Sequence, residues 1–198
     1  MTTERVYNLF RESIEAKMEV GEQLAAPLSL AAEYISEALL NGNKILAAGN
    51  GSSAALAQIF CSAMVDRFEQ ERPSLPALWL GSYMNTAISM SNDQGLHEAF
   101  SKPVRALGQS GDILLLLSCN GFARNLIQAI SAAHDRGMRV IALTGRDGGD
   151  VSSLIAAEDL ELRATINKRS HVHEVHLLSI HCLLELIDSN LFGLGDAQ

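Results

Sequence analysis

The sequence predicts a doubly wound α/β fold, a parallel sheet of about five strands flanked by helices, on three observations. KILAAGNGSS (Lys44 to Ser53), DILLLLSCNG (Asp112 to Gly121) and MRVIALTGRDGG (Met138 to Gly149) each place a short apolar run before a glycine-rich turn. Helix-compatible sequence follows the first two closely, as in βα units. The runs are continuous Ile, Leu and Val rather than alternating, as expected where helices cover both faces of a parallel sheet.

Taken in order, residues 1–41 have helical periodicity interrupted at Pro27 and predict an amino-terminal helical pair outside the sheet. The first strand and its turn follow, and LPALWL (Leu75 to Leu80) predicts a second strand. The third and fourth strands are the leucine run and VIAL, and DLELRA (Asp159 to Ala164) predicts a fifth. From about Ser170 to Leu191 the chain is helical, with too many apolar positions for one face in water. It is expected to pack on the sheet and on a second subunit. No linker marks a boundary, so 1–198 reads as one domain, with 1–41 an extension of the 42–198 core.

The chain has 198 residues, 47% of them hydrophobic, enough for one sizeable core. Fifteen basic against 23 acidic side chains give a net charge of −8, the wrong sign for recruiting phosphate backbones, so direct nucleic-acid binding is disfavoured. The start, MTTERVYNLFRESIEAKMEV, has no continuous apolar core of a targeting signal, and no run of about eighteen apolar residues predicts a bilayer span. Cys61, Cys119 and Cys182 are scattered and odd in number, which suits a reducing cytoplasm.

In an open α/β sheet, ligands sit beyond the carboxyl ends of the strands. Gly49-Asn50-Gly51-Ser52-Ser53-Ala54 matches GxGxxA, but the second strand ends Trp79-Leu80-Gly81 without the acid that would bind a ribose, so no dinucleotide is expected. Two readings of the turn remain: a plain serine cap, or backbone amides and hydroxyls from Asn50, Gly51, Ser52 and Ser53 offered to a phosphate. Ser118, Cys119 and Asn120 form a second such turn. His171, His173, His176 and His181 fall on one predicted helix. HEVH is not HExxH and the last spacing misses a helical turn, so capping, solvation or pairing with Glu174 and Glu185 is the preferred account. Asn92-Asp93 is ordinary capping material, and Arg146-Asp147-Gly148-Gly149 predicts a turn with glycine at positive φ.

GNGSSAALAQ, SNDQGLHEAFSKPVRALGQSGD, the SCNG turn, ALTGRDGG and HEVHLLSIHCLLELID together resemble the sugar isomerase (SIS) domain. The subgroup is that of phosphoheptose isomerases and DnaA initiator-associating proteins. The resemblance covers nearly the whole chain and implies a flavodoxin-like fold, a homotetramer, and sugar-phosphate sites at subunit contacts. It further implies phosphate binding at Ser53 and along Ser118 to Ala123, where the isomerase turn is Ser-Thr-Ser-Gly-Asn-Ser. Here Cys119, Asn120, Phe122 and Ala123 depart from it. The isomerases' zinc ligands correspond to Ile59, Ala63, His173 and His181, of which the first two cannot ligate. Asp93, Glu174 and His181 match acid/base or neighbouring positions, and Leu191-Phe192 matches a pair implicated in initiator contact.

These departures lead to a first expectation of a cytoplasmic tetramer with a degenerate sugar-phosphate site, no metal cofactor, and the replication initiator DnaA as its partner. A second is a phosphoheptose isomerase converting sedoheptulose 7-phosphate to D-glycero-D-manno-heptose 7-phosphate, with zinc implied only in that case. A third is a sugar-phosphate sensor.

Overall fold

A computed structural model describes residues 2–83, 89 and 96–193. The chain runs α1 (Thr2–Leu40), β1 (Ile45–Gly49), α2 (Ser52–Val65), β2 (Ala77–Trp79), α3 (Ser101–Leu107) and β3 (Ile113–Leu117). It continues through α4 (Arg124–Asp135), β4 (Arg139–Gly145), α5 (Gly149–Ser152), β5 (Leu160–Ala164) and α6 (Arg169–Phe192). The five strands form one sheet in the order β2-β1-β3-β4-β5, and every neighbouring pair is parallel. The predicted fold class is thus observed.

The strand sequences explain the two-sided packing. Side chains alternate faces along a strand, so consecutive leucines of β3 enter different cores. Ile113, Leu115 and Leu117 join a cluster with Ile45, Ala47 and the apolar residues of α1, α2 and α6. Leu114 and Leu116 join another with Leu46, Ala48 and the apolar residues of α3 and α4. All five β3 side chains are 0–1% exposed, and each such leucine contributes about 1.5–3 kcal/mol relative to exposure.

Pro27 does not split α1. The expected helical pair is one 39-residue helix with the proline inside. A mid-helix proline costs about 3 kcal/mol relative to alanine, but Leu24, Leu28, Ala31, Ala32 and Ile35 flank it on the buried face. α1 packs along α6 and β5, and this burial holds the helix together through the missing hydrogen bond. β2 is also shorter than its apolar run, because Leu80 turns into a 3₁₀ segment, Leu80–Tyr83.

α6 is long and apolar enough to cross a membrane by length and composition, with a mean hydropathy of 1.3. Its apolar side chains are instead used in the core: Val172, Val175, Ile180, Leu183, Leu184 and Ile187 are buried against α1, α2, β4 and β5. Its far end is tied by Asp188, which accepts a hydrogen bond from Arg72 Nε at 2.6 Å. Arg72 in turn donates to the carbonyls of Ala63 and Met64 that end α2.

Candidate functional site

The strand order reverses direction between β1 and β3, so the turns that leave these strands diverge and open a crevice. A cavity of about 290 Å³ lies there, lined by Asn50, Ser53, Leu117, Ser118, Cys119, Asn120, Ala123, Leu126, Arg146 and Arg169. These residues come from the turns after β1, β3 and β4, the last residue of β3, the first turns of α2 and α4, and the first residue of α6.

Each turn is shaped by its sequence. Gly51 takes φ +56 and caps α2 without a side-chain bond, which brings Ser53 into the first helical turn, where it is 3% exposed. Asn50 and Asn125 exchange reciprocal amide hydrogen bonds, both 2.9 Å, fastening the β1 turn to α4. In the β3 turn the Gly121 amide donates to Ser118 Oγ at 3.0 Å. A hydroxyl has two lone pairs and one hydrogen, so this bond leaves the Ser118 hydrogen available to a ligand. Gly121 has φ +72, and a Cβ there would sit 1.7 Å from the Gly148 carbonyl oxygen. No other residue permits the β3 and β4 turns to approach this closely.

Asn50, Ser53, Ser118, Cys119 and Asn120 therefore converge, while Gly51 and Ser52 are exposed outside the cavity lining. Asp93 lies outside the described residues. Glu174 is engaged elsewhere: it accepts hydrogen bonds from Ser13 and Lys17 of α1, the Lys17 contact being 2.9 Å. Burial pushes its carboxyl up, but these bonds outweigh it and hold the group below the ordinary carboxylate range. His181 stands twelve residues beyond Arg169 on α6, about 18 Å along the helix axis, and its ring lies against Phe68 with centroids 5.6 Å apart. Neither group faces the cavity of its own subunit.

His171 and His176 are buried, which differs from the expected capping, solvation or pairing with Glu174 and Glu185. His176 is 1% exposed, and its Nε2 donates to the Thr144 carbonyl at 2.9 Å. Burial lowers its pKa to about 4, so the ring is neutral. Burial first, and then the Arg169 charge, also lower the pKa of His173. His173 Nε2 and His176 Nδ1 are buried without a hydrogen-bond partner among the described residues.

Zinc does not fit the donors present. Ile59 is 42% exposed and Ala63 half-buried, and neither carries a donor atom. Among the described residues, no group of three or more His, Cys, Asp or Glu side chains is placed to hold a metal ion. His173 and His181 lie eight residues apart, about 12 Å along α6, too far for one ion to bridge within a subunit.

Sequence reasoning missed Arg146 and Arg169. The first looked like part of a solvated turn, and the second meets the cavity only because α6 begins beside the β3 turn.

Fold and crevice together define a doubly wound α/β protein with a cavity at its switch point, and comparison with known proteins identifies the family. The SIS domain family matches residues 9–145, and the chain belongs to it. A phosphoheptose isomerase of Chromohalobacter salexigens is 49% identical over 96% of this chain and 96% of its own. One of Pseudoalteromonas atlantica is 50% identical over 92% and 93%, respectively. The structure of a phosphoheptose isomerase from Neisseria gonorrhoeae superposes with a TM-score of 0.90 at 41% identity, covering 96% of this chain and all of that one.

These relatives overturn the first functional expectation. Proteins about half identical over nearly the whole chain bear the isomerase name, so regulation of replication initiation through DnaA is withdrawn. Leu191, one of the two residues assigned to that contact, packs against the core at the end of α6, and Phe192 is 37% exposed beside it.

Proposed function

We propose that the protein is a phosphoheptose isomerase, interconverting sedoheptulose 7-phosphate and D-glycero-D-manno-heptose 7-phosphate, with the phosphate seated between the β1 and β3 turns. One observation carries the reading: Ser53 and Ser118 converge on a cavity at the sheet's switch point that, among the described residues, no carboxylate lines. The names of the close relatives support it.

Ketose–aldose isomerisation moves a proton between adjacent carbons through an enediol, and the carbonyl and hydroxyl exchange places. The chain must therefore fix the phosphate, hold the sugar and supply a base. We assign the base to His173. It lies one turn beyond Arg169, which lines the cavity, on the same helix face, and its buried Nε2 has no hydrogen-bond partner among the described residues.

The test is conversion of sedoheptulose 7-phosphate by the purified full-length protein. Ser53→Ala is expected to lower kcat/KM about 10- to 100-fold, the loss of one hydrogen bond to a charged group. His173→Gln is expected to lower kcat with little change in KM. An inactive wild-type protein, assayed in both directions, sinks the proposal.

A further inference from the structure

We propose that Arg146 and Arg169 form a guanidinium clamp for a doubly charged phosphate monoester, replacing the grip that the β3 turn lost with its hydroxyls. The inference rests on the reading of the cavity as the sugar-phosphate site and specifies what holds the phosphate there.

Three observations support it. The first is charge. The molecule carries a net −8, yet among the described residues the cavity is lined by two arginines and no acid. Such a local inversion attracts a dianion that the acidic surface around it repels.

The second is the lack of partners. Arg67, Arg72 and Arg163 are each paired with a carboxylate. The guanidinium groups of Arg146 and Arg169 have no ion pair or hydrogen bond among the described residues. Arginine offers five donors in a planar fork that fits phosphate oxygens two at a time, and here both forks are unused.

The third is backbone strain. Arg146 takes φ +60, and among the described residues it is the only non-glycine with positive φ. Its amide donates to the Ala164 carbonyl at 2.9 Å, which pins the turn. Glycine would hold this conformation without strain, and a long cationic side chain kept there despite the cost points to use of the side chain.

The clamp predicts a pH signature. A phosphate monoester gains its second charge near pH 6, so affinity rises through that range and falls with added salt.

Binding is measured by calorimetry on the full-length protein with inorganic phosphate, sedoheptulose 7-phosphate and unphosphorylated sedoheptulose. Arg169→Met and Arg146→Gly are each expected to weaken binding of the two phosphates at least 10-fold, to raise KM more than they lower kcat, and to leave sedoheptulose unaffected. Arg169→Lys retains part of the affinity. Arg146→Gly also removes the strain, so its Tm without ligand is expected to match or exceed the wild-type value, which separates lost binding from lost folding. Unchanged phosphate affinity in both variants, with Ser53→Ala still impaired, overturns the clamp and leaves the isomerase reading standing. Arginine-dependent phosphate binding without turnover supports the clamp and removes the isomerase. A wild-type protein that binds neither phosphate removes both.

Discussion

At the scale of single residues, His176 ties stability to pH. Its ring is neutral and buried between α6 and β4, with a folded pKa near 4 against an ordinary 6.5. The unfolded chain therefore takes up a proton as the pH falls below 6.5, while the folded chain does not until about pH 4. Stability is full above pH 6.5 and declines across that window, by on the order of 3 kcal/mol for this group. Urea unfolding at pH 7.5, 5.5 and 4.5 is expected to show that decline, and His176→Gln is expected to flatten it; equal slopes in the two proteins refute the assignment. Residues also mark where the sequence was opaque. Ser53 and Ser118 were legible because a small hydroxyl beside a glycine turn signals an anion cradle. Arg146 was not, because its left-handed backbone cannot be read from RDGG, where the glycines look sufficient to make the turn.

At the scale of elements, the five strands were legible and one helix was misread. β3 is a run of leucines and β4 one of branched and leucine side chains, each closed by a turn, and a parallel sheet covered on both faces leaves little other use for such runs. Pro27 obeys a local rule that tertiary burial overrides, since α1 loses one hydrogen bond but buries a face along most of its second half. The proline should remain a cost within a helix that survives it. Pro27→Ala is expected to stabilise the protein, by up to about 3 kcal/mol, and to raise the thermal midpoint by several degrees. A lowered midpoint would mean that the ring itself fills a packing site.

At the scale of the whole molecule, the first half of α1 carries a face that the single chain does not bury. Val6, Tyr7, Phe10, Ile14 and Met18 are 49–70% exposed and recur at helical spacing. We propose that this face packs in a homotetramer. It is expected to sediment well above the 21.3 kDa of one chain, with Phe10→Glu/Ile14→Glu shifting it to smaller species. A wild-type monomer at micromolar concentration would refute this.

The approach of Gly121 to the Gly148 carbonyl has a practical meaning for anyone wishing to redesign this pocket. Its shape is set by main-chain atoms, so the lining can be exchanged like the fittings of a socket without disturbing the wall behind it. Grafting Cys119→Thr, Asn120→Ser and Ala123→Ser is a route to a tighter phosphate binder on an unchanged chassis.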